Sequence, residues 1–400
     1  MCAADLPNIN IGTRHFAKKM PEKNEIKVAM VISKAEASLG GTQKQALRLA
    51  DELQSQGVSV FVLTKRKARQ HARGRGAELN GRVQIVHLPV IDLQPAWSFL
   101  FSLLVWAWIN RGSFQIIHAH NAATGVISSI VGWLTGKKVI VKIPSLKYVQ
   151  YLNGGNLSRD LRRWILTKKT DRFIAVSTEM LEALREAGIA PEKLALISNG
   201  IELTAPGNTN PGALRKDLSG DSEGPVVLFV GRLVKEKGLD RLLRVWASLP
   251  GHETMLLLIV GDGPLREELE SQAKKLRLFP SIRFLGHQAD VSKLYSVADL
   301  FVLPSKTEGM SNSLLEAMAA GLPVVASNVG GNKDVIKDQQ SGFLVDWEDT
   351  TLCAGMLLTL LSDTELRQRI GNAARREVSA FAMGDVAERY HELYQAVLQE

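Results

Sequence analysis

Two carboxylates, Glu308 and Glu316, stand eight positions apart around the small polar run Gly309-Met310-Ser311-Asn312-Ser313. An apolar stretch at 300–303 leads in, and a helical pattern at about 312–320 leads out. A strand, a polar loop and a helix in that order put the loop at the carboxyl edge of a parallel sheet, where open α/β folds bind ligands. The amides of Met310, Ser311 and Asn312 would then be free donors at a helix start, suited to an anion. Ionised carboxylates accept hydrogen bonds from hydroxyls. Anion donors beside two hydroxyl acceptors describe a site for a sugar joined to a phosphate. On these residues alone a plainer reading stays open, in which Glu308 caps the helix and Glu316 is solvated on it.

A second charged loop follows the apolar stretch 226–230: Gly231-Arg232-Leu233-Val234-Lys235-Glu236-Lys237-Gly238. Two cations at the mouth of a parallel strand can neutralise a diphosphate, Arg232 through a planar fork and Lys237 as a point charge. Lys235 reads as solvated. Further turns end other apolar stretches. Gly40-Gly41 would let amides approach a phosphate. Gly261-Asp262-Gly263-Pro264 reads as structural, with Pro264 opening a helix. His118-Ala119-His120-Asn121 would point polar groups into a cleft, and two histidines without a third ligand make a poor metal site.

The segment around Glu308 and Glu316 resembles the E-x7-E signature of retaining glycosyltransferases of the GT-B fold, the large fourth family. The resemblance spans about residues 26–385 and is densest from 226 to 345. It implies Glu308 on the sugar, Glu316 on the donor ribose, and Arg232 and Lys237 on the donor diphosphate. It also implies Gly41 and Thr42 in a donor-contacting loop, with Gly286, His287 and Gln288 around the nucleobase through backbone atoms. His120 joins the catalytic candidates. Asn121, Lys142 and Ser145 are candidates for the acceptor side. Two departures stand out. Gly330-Gly331-Asn332-Lys333-Asp334 carries Lys and Asp where the family's turn has Pro and Glu, and no His lies near Pro144, where members often have one. Glycosyltransferases of the other major fold hold a cation with D-x-D, and no two aspartates here are two apart. No metal and no cofactor is expected, the nucleotide sugar being a co-substrate.

Those loops need elements to hold them. Apolar stretches at 26–32, 58–63, 83–88, 115–118, 139–143 and 172–176 alternate with helical ones such as 42–56. Residues 203–224, rich in Pro, Gly, Asn, Ser and Thr, read as a linker. The pattern then restarts at 226–230, 256–260, 282–285, 300–303 and 323–326, with helices at about 239–248, 264–276 and 291–297. Alternating strands and helices imply βαβ units and parallel sheets. The fold class is therefore α/β, and the resemblance implies GT-B, with two Rossmann-like doubly wound domains facing across a cleft. The expected bounds are an acceptor-side domain at 1–205, a nucleotide-sugar domain at 206–383, and a helix at 384–400 crossing back to the first domain, as the resemblance implies.

A chain of 400 residues with 45% apolar and 22% charged residues can bury sizeable cores. Cys2 and Cys353 form no spacing pattern, which fits a reducing compartment. Residues 1–25 lack the apolar core of a signal peptide, so the expected location is the cytoplasm. Residues 1–210 carry 28 lysines and arginines against 15 aspartates and glutamates, whereas the remainder carries 21 against 26. A basic first half suggests an anionic surface. Residues 158–170 read as a basic amphipathic helix that either docks on its own domain or meets anionic lipid, and the 65–75 stretch adds bases. The uncharged run 93–110 is shorter than the roughly 20 residues of a membrane span and contains Gln94, Pro95 and Asn110. It is read as a buried helix, with partial exposure to lipid as the lesser reading.

These observations converge on transfer of a sugar from a nucleotide-diphosphate sugar, UDP-linked ahead of GDP-mannose, to a glycan or lipid-linked acceptor in polysaccharide or glycolipid biosynthesis. The partners expected are that donor, that acceptor and, peripherally, the inner face of an anionic membrane. The rivals are a GT-B nucleotide-sugar epimerase and a non-enzymatic basic module for nucleic acid. The second rival fits poorly, because aromatics make up only 6% of the chain and cluster in apolar runs. No nucleic-acid partner is expected.

Overall fold

The computed structural model describes residues 25–33, 41–67, 78–79, 83–90, 94–149, 152, 157–203, 211–219 and 224–400. Gly40, most of the basic 65–75 stretch and residues 204–210 and 220–223 of the expected linker lie outside those residues; the middle of that linker is instead a helix, Pro211–Ser219, whose Arg215 pairs with Asp299 at 2.8 Å. The chain forms two parallel sheets. The first contains β1 (Lys27–Val31), β2 (Ser59–Lys67), β3 (Glu78–Leu79), β4 (Val83–Val90), β5 (Ile116–Ala119), β6 (Lys138–Ile143), β7 (Arg172–Ala175) and β8 (Leu194–Leu196). Its order is β3-β4-β2-β1-β5-β6-β7-β8, and only β3 runs antiparallel. The second contains β9 (Val226–Val230), β10 (Leu256–Val260), β11 (Ile282–Gly286), β12 (Leu300–Leu303), β13 (Val324–Ser327) and β14 (Phe343–Val345). Its order is β11-β10-β9-β12-β13-β14, parallel throughout.

Among the parallel strands of each sheet the order reverses once, between β1 and β5 and between β9 and β12. The crevice beyond the carboxyl ends at such a reversal is where doubly wound sheets take ligands. The loops that follow β9 and β12 carry Arg232 and Glu308, so the topology brings the two charged loops of the sequence together.

The second sheet reads as unbroken apolar runs because helices cover both faces: β10, β12 and β13 are buried along their whole length. The helix Leu239–Ala247 turns Leu239, Leu242, Leu243 and Trp246 inward at three- and four-residue spacing. Trp246 is fully buried, and its indole N–H donates to Ser281 Oγ at 3.0 Å, which satisfies the ring's one polar atom.

The helix Met383–Gln399 returns to the first sheet. Val386, Tyr390, Tyr394 and Val397 join one core with Met30, Ile116, Ile140 and Ile174. The two crossings between domains lie side by side: Ile201 N donates to Phe381 O at 2.8 Å and Met383 N to Ile201 O at 2.9 Å. Gly200 permits this, since a Cβ there would fall 2.7 Å from Met383 Sδ.

One expectation is corrected. The helix Pro95–Ile109 is not a buried helix: only Phe99, Leu103 and Ala107 are buried, Leu100, Leu104 and Trp106 pack partly exposed beside them, and Trp97 is 71% and Phe101 68% exposed. Uniform apolarity hid a two-sided helix, because no polar stripe marks its outer face. Among the described residues no helix is long and apolar enough to cross a membrane.

Candidate active site

The loop between β12 and the helix Asn312–Ala319 is pinned from several sides. Glu308 is 10% exposed at its side chain, and its Oε1 accepts from Ser305 Oγ at 2.7 Å and from the Lys237 ammonium. The two charged loops are thus joined by an ion pair. Ser311 caps the helix by accepting from Leu314 N at 3.3 Å. The amides of Met310, Ser311 and Asn312 donate to no protein group among the described residues and remain available at the positive end of the helix. Arg232 is exposed and makes no salt bridge among the described residues, and Lys235 is exposed beside it.

Backbone lies on backbone under these side chains. A Cβ on Gly238 would fall 2.1 Å from Pro304 O, and one on Gly330 would fall 1.8 Å from Glu308 O. Gly331 N donates to Gly309 O at 3.0 Å. The Gly330-Gly331 turn therefore acts as a floor for Glu308. Its two departures from the family pattern reach the first domain: Lys333 pairs with Glu179 at 3.0 Å, and Asp334 accepts from Thr178 N at 2.7 Å. Gly261, at φ +130°, underlies the Arg232 loop in the same way: a Cβ there would fall 1.9 Å from Gly231 O.

Glu316 is held at both oxygens. Oε1 meets Arg48 Nη1 at 3.2 Å, and Oε2 accepts from Tyr295 OH at 3.1 Å. Burial and then the Glu316 charge push the Tyr295 pKa up, so the phenol stays a donor. Asn312 Nδ2 donates to Gly41 O at 3.0 Å, while its Oδ1 accepts from Asn199 Nδ2 at 2.9 Å. Thr42 follows at the start of the helix Gly41–Ser55. Gly286 closes β11 in the left-handed region at φ +65°, Gln288 Nε2 folds back onto Leu285 O at 2.8 Å, and His287 is exposed.

The first domain contributes less than the sequence suggested. His120 is 2% and Lys142 3% exposed, so neither side chain lines the cleft. They occupy the last layer of β5 and β6 and, together with His118, lie under the returning helix. The His118 and His120 rings stand 4.3 Å apart, His118 Nδ1 meets Tyr394 OH at 2.8 Å, and the Lys142 ammonium is 5.6 Å from the Tyr390 ring. Strand alternation explains the misplacement: at these positions the outward face of the sheet is the one the last helix covers. Burial drives the Lys142 pKa down to about 7, and burial followed by the Lys142 charge drives His118 down to about 3. Asn121 is likewise buried, its Oδ1 spent on capping the next helix through Thr124 N at 2.9 Å. Ser145 Oγ accepts from Lys147 N at 3.3 Å, and Lys147 pairs with Glu236 across the cleft. Pro144 sits against the Glu308 loop, its carbonyl 2.0 Å from where a Gly309 Cβ would lie.

Arg48, Asn199, Tyr295 and Ser305 were missed by the sequence reading. Only Ser305 offered a signal, a hydroxyl three residues before Glu308 in the same loop. The others reach the site from distant elements. Among the described residues no three His, Cys, Asp or Glu side chains converge as a metal site would require.

Comparison with known proteins finds relatives over most of the chain. Residues 212–377 match the family described as glycosyl transferases group 1, and residues 39–205 match glycosyltransferase family 4. The chain is 31% identical to a D-inositol 3-phosphate glycosyltransferase of Salinispora arenicola over 71% of its own length and 69% of that protein. It is 28% identical to the Escherichia coli UDP-Gal:alpha-D-GlcNAc-diphosphoundecaprenol alpha-1,3-galactosyltransferase, over 72% of this chain and 76% of that one. The Arabidopsis thaliana sulfoquinovosyl transferase SQD2 is 40% identical, but over 41% of this chain and 32% of its own length. HepE of Anabaena, solved with UDP-glucose, superposes with a TM-score of 0.78 over 93% of this chain and 100% of that one, at 20% identity. The chain therefore belongs to the group 1, family 4 glycosyltransferases of GT-B fold, enzymes that move a sugar from a nucleotide sugar.

Proposed function

We propose that the protein transfers a hexose, with retention, from a UDP-sugar to a glycan or lipid-linked acceptor, with GDP-mannose as the second donor candidate. It would do so in polysaccharide or glycolipid biosynthesis, as a peripheral protein of the inner face of the cytoplasmic membrane. The observation that carries this reading is the Lys237–Glu308 pair, with Arg232, which makes no salt bridge among the described residues, beside it at the strand-order reversal of the second sheet. The relative from Escherichia coli, whose name specifies UDP-Gal and a diphosphoundecaprenol acceptor, supports it, as does the fold shared with HepE, solved with UDP-glucose.

In this reading the donor diphosphate lies between Arg232, Lys237 and the amides of Met310, Ser311 and Asn312. Glu308 accepts from sugar hydroxyls and Glu316 from the ribose. The bond from the sugar's anomeric carbon to the diphosphate oxygen breaks, and a bond to the acceptor oxygen forms on the same face. The acceptor proton passes to the departing diphosphate, so no separate base is required. The cations and helix amides stabilise negative charge where it develops, an effect worth about 3–4 kcal/mol per donor in comparable sites. Thermal melting with UDP-, GDP- and ADP-sugars tests the donor assignment. UDP-sugars should raise the melting temperature most, and no shift with any nucleotide sugar would overturn the reading. Release of free UDP only when acceptor is added separates transfer from epimerisation.

A further inference from the structure

Three helices lie side by side on one face of the first sheet: Pro95–Ile109, Ala122–Thr135 and Leu157–Lys169. Their inner sides supply Phe99, Leu103, Val131 and Leu166 to the core. Their outer sides are apolar as well. Trp97, Phe101 and Trp108 form an exposed stripe along the first helix at spacings that share one face. Trp133 and Leu134 are exposed on the second, and Leu161 and Trp164 on the third. An outward stripe of this kind, rich in indoles, marks a partner surface, and tryptophan favours the interface between water and lipid.

The charge around it identifies the partner. Between the ends of the second and third helices lies a cavity of about 380 Å³. Its walls present Lys137, Lys168, Lys169, Lys193 and Arg172. Arg172 pairs with Glu400 and Asp171 pairs with Lys138, whereas none of the other four lysines makes a salt bridge among the described residues. The Lys169 ammonium stands 4.3 Å from the centre of the Trp133 ring and 5.6 Å from that of Trp164, joining the cavity to the aromatic rim. Arg111 lies 5.2 Å from the Trp108 ring. Burial holds Lys193 below its usual pKa, with Lys168 and Arg172 adding to the effect against Asp171. A second copy meeting this face symmetrically would bring like charges together. A surface that is anionic outside and apolar beneath meets both features at once.

We propose that this three-helix face docks on an anionic phospholipid bilayer, with a lipid phosphate in the cavity of Lys137, Lys168, Lys169 and Lys193 and the exposed indoles in the headgroup layer. The cavity adjoins Lys138 and Arg172, which open β6 and β7, so it lies at the edge opposite the cleft and docking leaves the donor loops free. The inference rests on the peripheral-membrane reading above and adds the face and the headgroup to it.

Co-sedimentation of the full chain with vesicles tests it. Binding is expected to vesicles of phosphatidylcholine mixed with phosphatidylglycerol, falling as salt rises, and not to phosphatidylcholine alone. Trp133→Ala with Trp164→Ala, and separately Lys168→Gln with Lys169→Gln, should each weaken binding about tenfold or more. Melting temperature and the response to UDP-sugar should stay unchanged in both. Lys274→Gln with Lys275→Gln, on the second domain, should bind as the unaltered chain does. If the unaltered chain binds no vesicle, the peripheral reading and this face fall together. If it binds and the two altered faces bind equally well, only this face falls. Equal binding to neutral vesicles, self-association abolished by the tryptophan changes, or stabilisation by inorganic phosphate without vesicle binding would each overturn the proposal.

Discussion

The carboxyl-end loops of the two sheets are built on opposite plans. Around Glu308 and Arg232, backbone rests on backbone, with Gly238 against Pro304, Gly261 against Gly231 and Gly330 against Glu308. No side chain can be inserted there, so the charged groups stand on a rigid floor. In the first sheet the matching edge is closed from above. His118 and Lys142 are sealed under Tyr390 and Tyr394 of the returning helix, His120 is buried against His118, and the rim bordering the cleft is the Pro144-Ser145 turn. One wall is fixed by contacts that tolerate no Cβ, as suits a ligand of constant shape. The other is assembled from side chains and a crossing helix, which leaves its selectivity to residues at its rim.

The largest expected effect falls on the rigid wall. Glu308→Gln keeps the shape and the Ser305 hydrogen bond but removes the charge that holds Lys237. Transfer measured as kcat/KM should fall about 10²–10³-fold, with little change in melting temperature. Near-normal transfer by this variant would mean that the ion pair is only structural, and the contrast between the walls would lose its functional meaning.

Gly261→Ala probes the floor itself. The residue sits at φ +130°, and the added Cβ would meet Gly231 O at 1.9 Å. Denaturant unfolding should show a loss of about 3 kcal/mol, from strain and overpacking together. Gly112→Ala, in the first domain with nothing within 4 Å, should change stability by no more than about 0.5 kcal/mol. Equal effects at the two positions would erase the difference in construction.

The same contrast explains what the sequence made legible. The charged loops of the second sheet follow uninterrupted apolar strands, and their glycines fall where backbones cross, so local pattern and site coincide. The short strands β3, β8 and β14 were not anticipated, since two or three residues carry no periodicity. His120 and Asn121 were assigned to the cleft because they end a strand. His120 packs on His118, which in turn meets Tyr390 and Tyr394 of a helix more than 260 residues further along, and no local pattern reports that helix. Arg48 and Tyr295 reach Glu316 through tertiary contacts for the same reason.

Lys142 tests the sealed edge through pH. The unfolded chain holds the lysine proton up to its ordinary value of 10.5, and the folded chain only to about 7. The unfolded state therefore binds more protons between those values, and stability rises with pH across that window. From about pH 6 to about pH 9 this group alone should add on the order of 2 kcal/mol. His118, down at about 3 for the same reason of burial, acts in the same direction at lower pH, costing stability as pH falls below its ordinary 6.5. Lys142→Met should flatten the rise above neutrality and leave the acid limb in place. An unchanged profile would show that the lysine finds solvent and that this edge is not closed.

The smallest effect sharpens the comparison where the two walls touch. Arg48 belongs to the first domain, in the helix Gly41–Ser55, yet its guanidinium lies 3.2 Å from Glu316 on the donor wall and 3.7 Å from Glu202. The pair is partly exposed, so its net energy is modest, about 1 kcal/mol or less. Its geometric effect is to fix one oxygen of Glu316 while Tyr295 fixes the other, which would orient the remaining lone pairs for the proposed ribose contact. Arg48→Ala should therefore raise the KM for the nucleotide sugar about threefold to fivefold and leave kcat nearly unchanged, because the ribose contact is the same in ground and transition states. Arg48→Lys, which keeps the charge but not the planar fork, should fall between the two. A drop in kcat with unaltered KM would assign Arg48 instead to bringing the domains together for the chemical step, and the donor wall would then no longer be complete within the second domain's own reach.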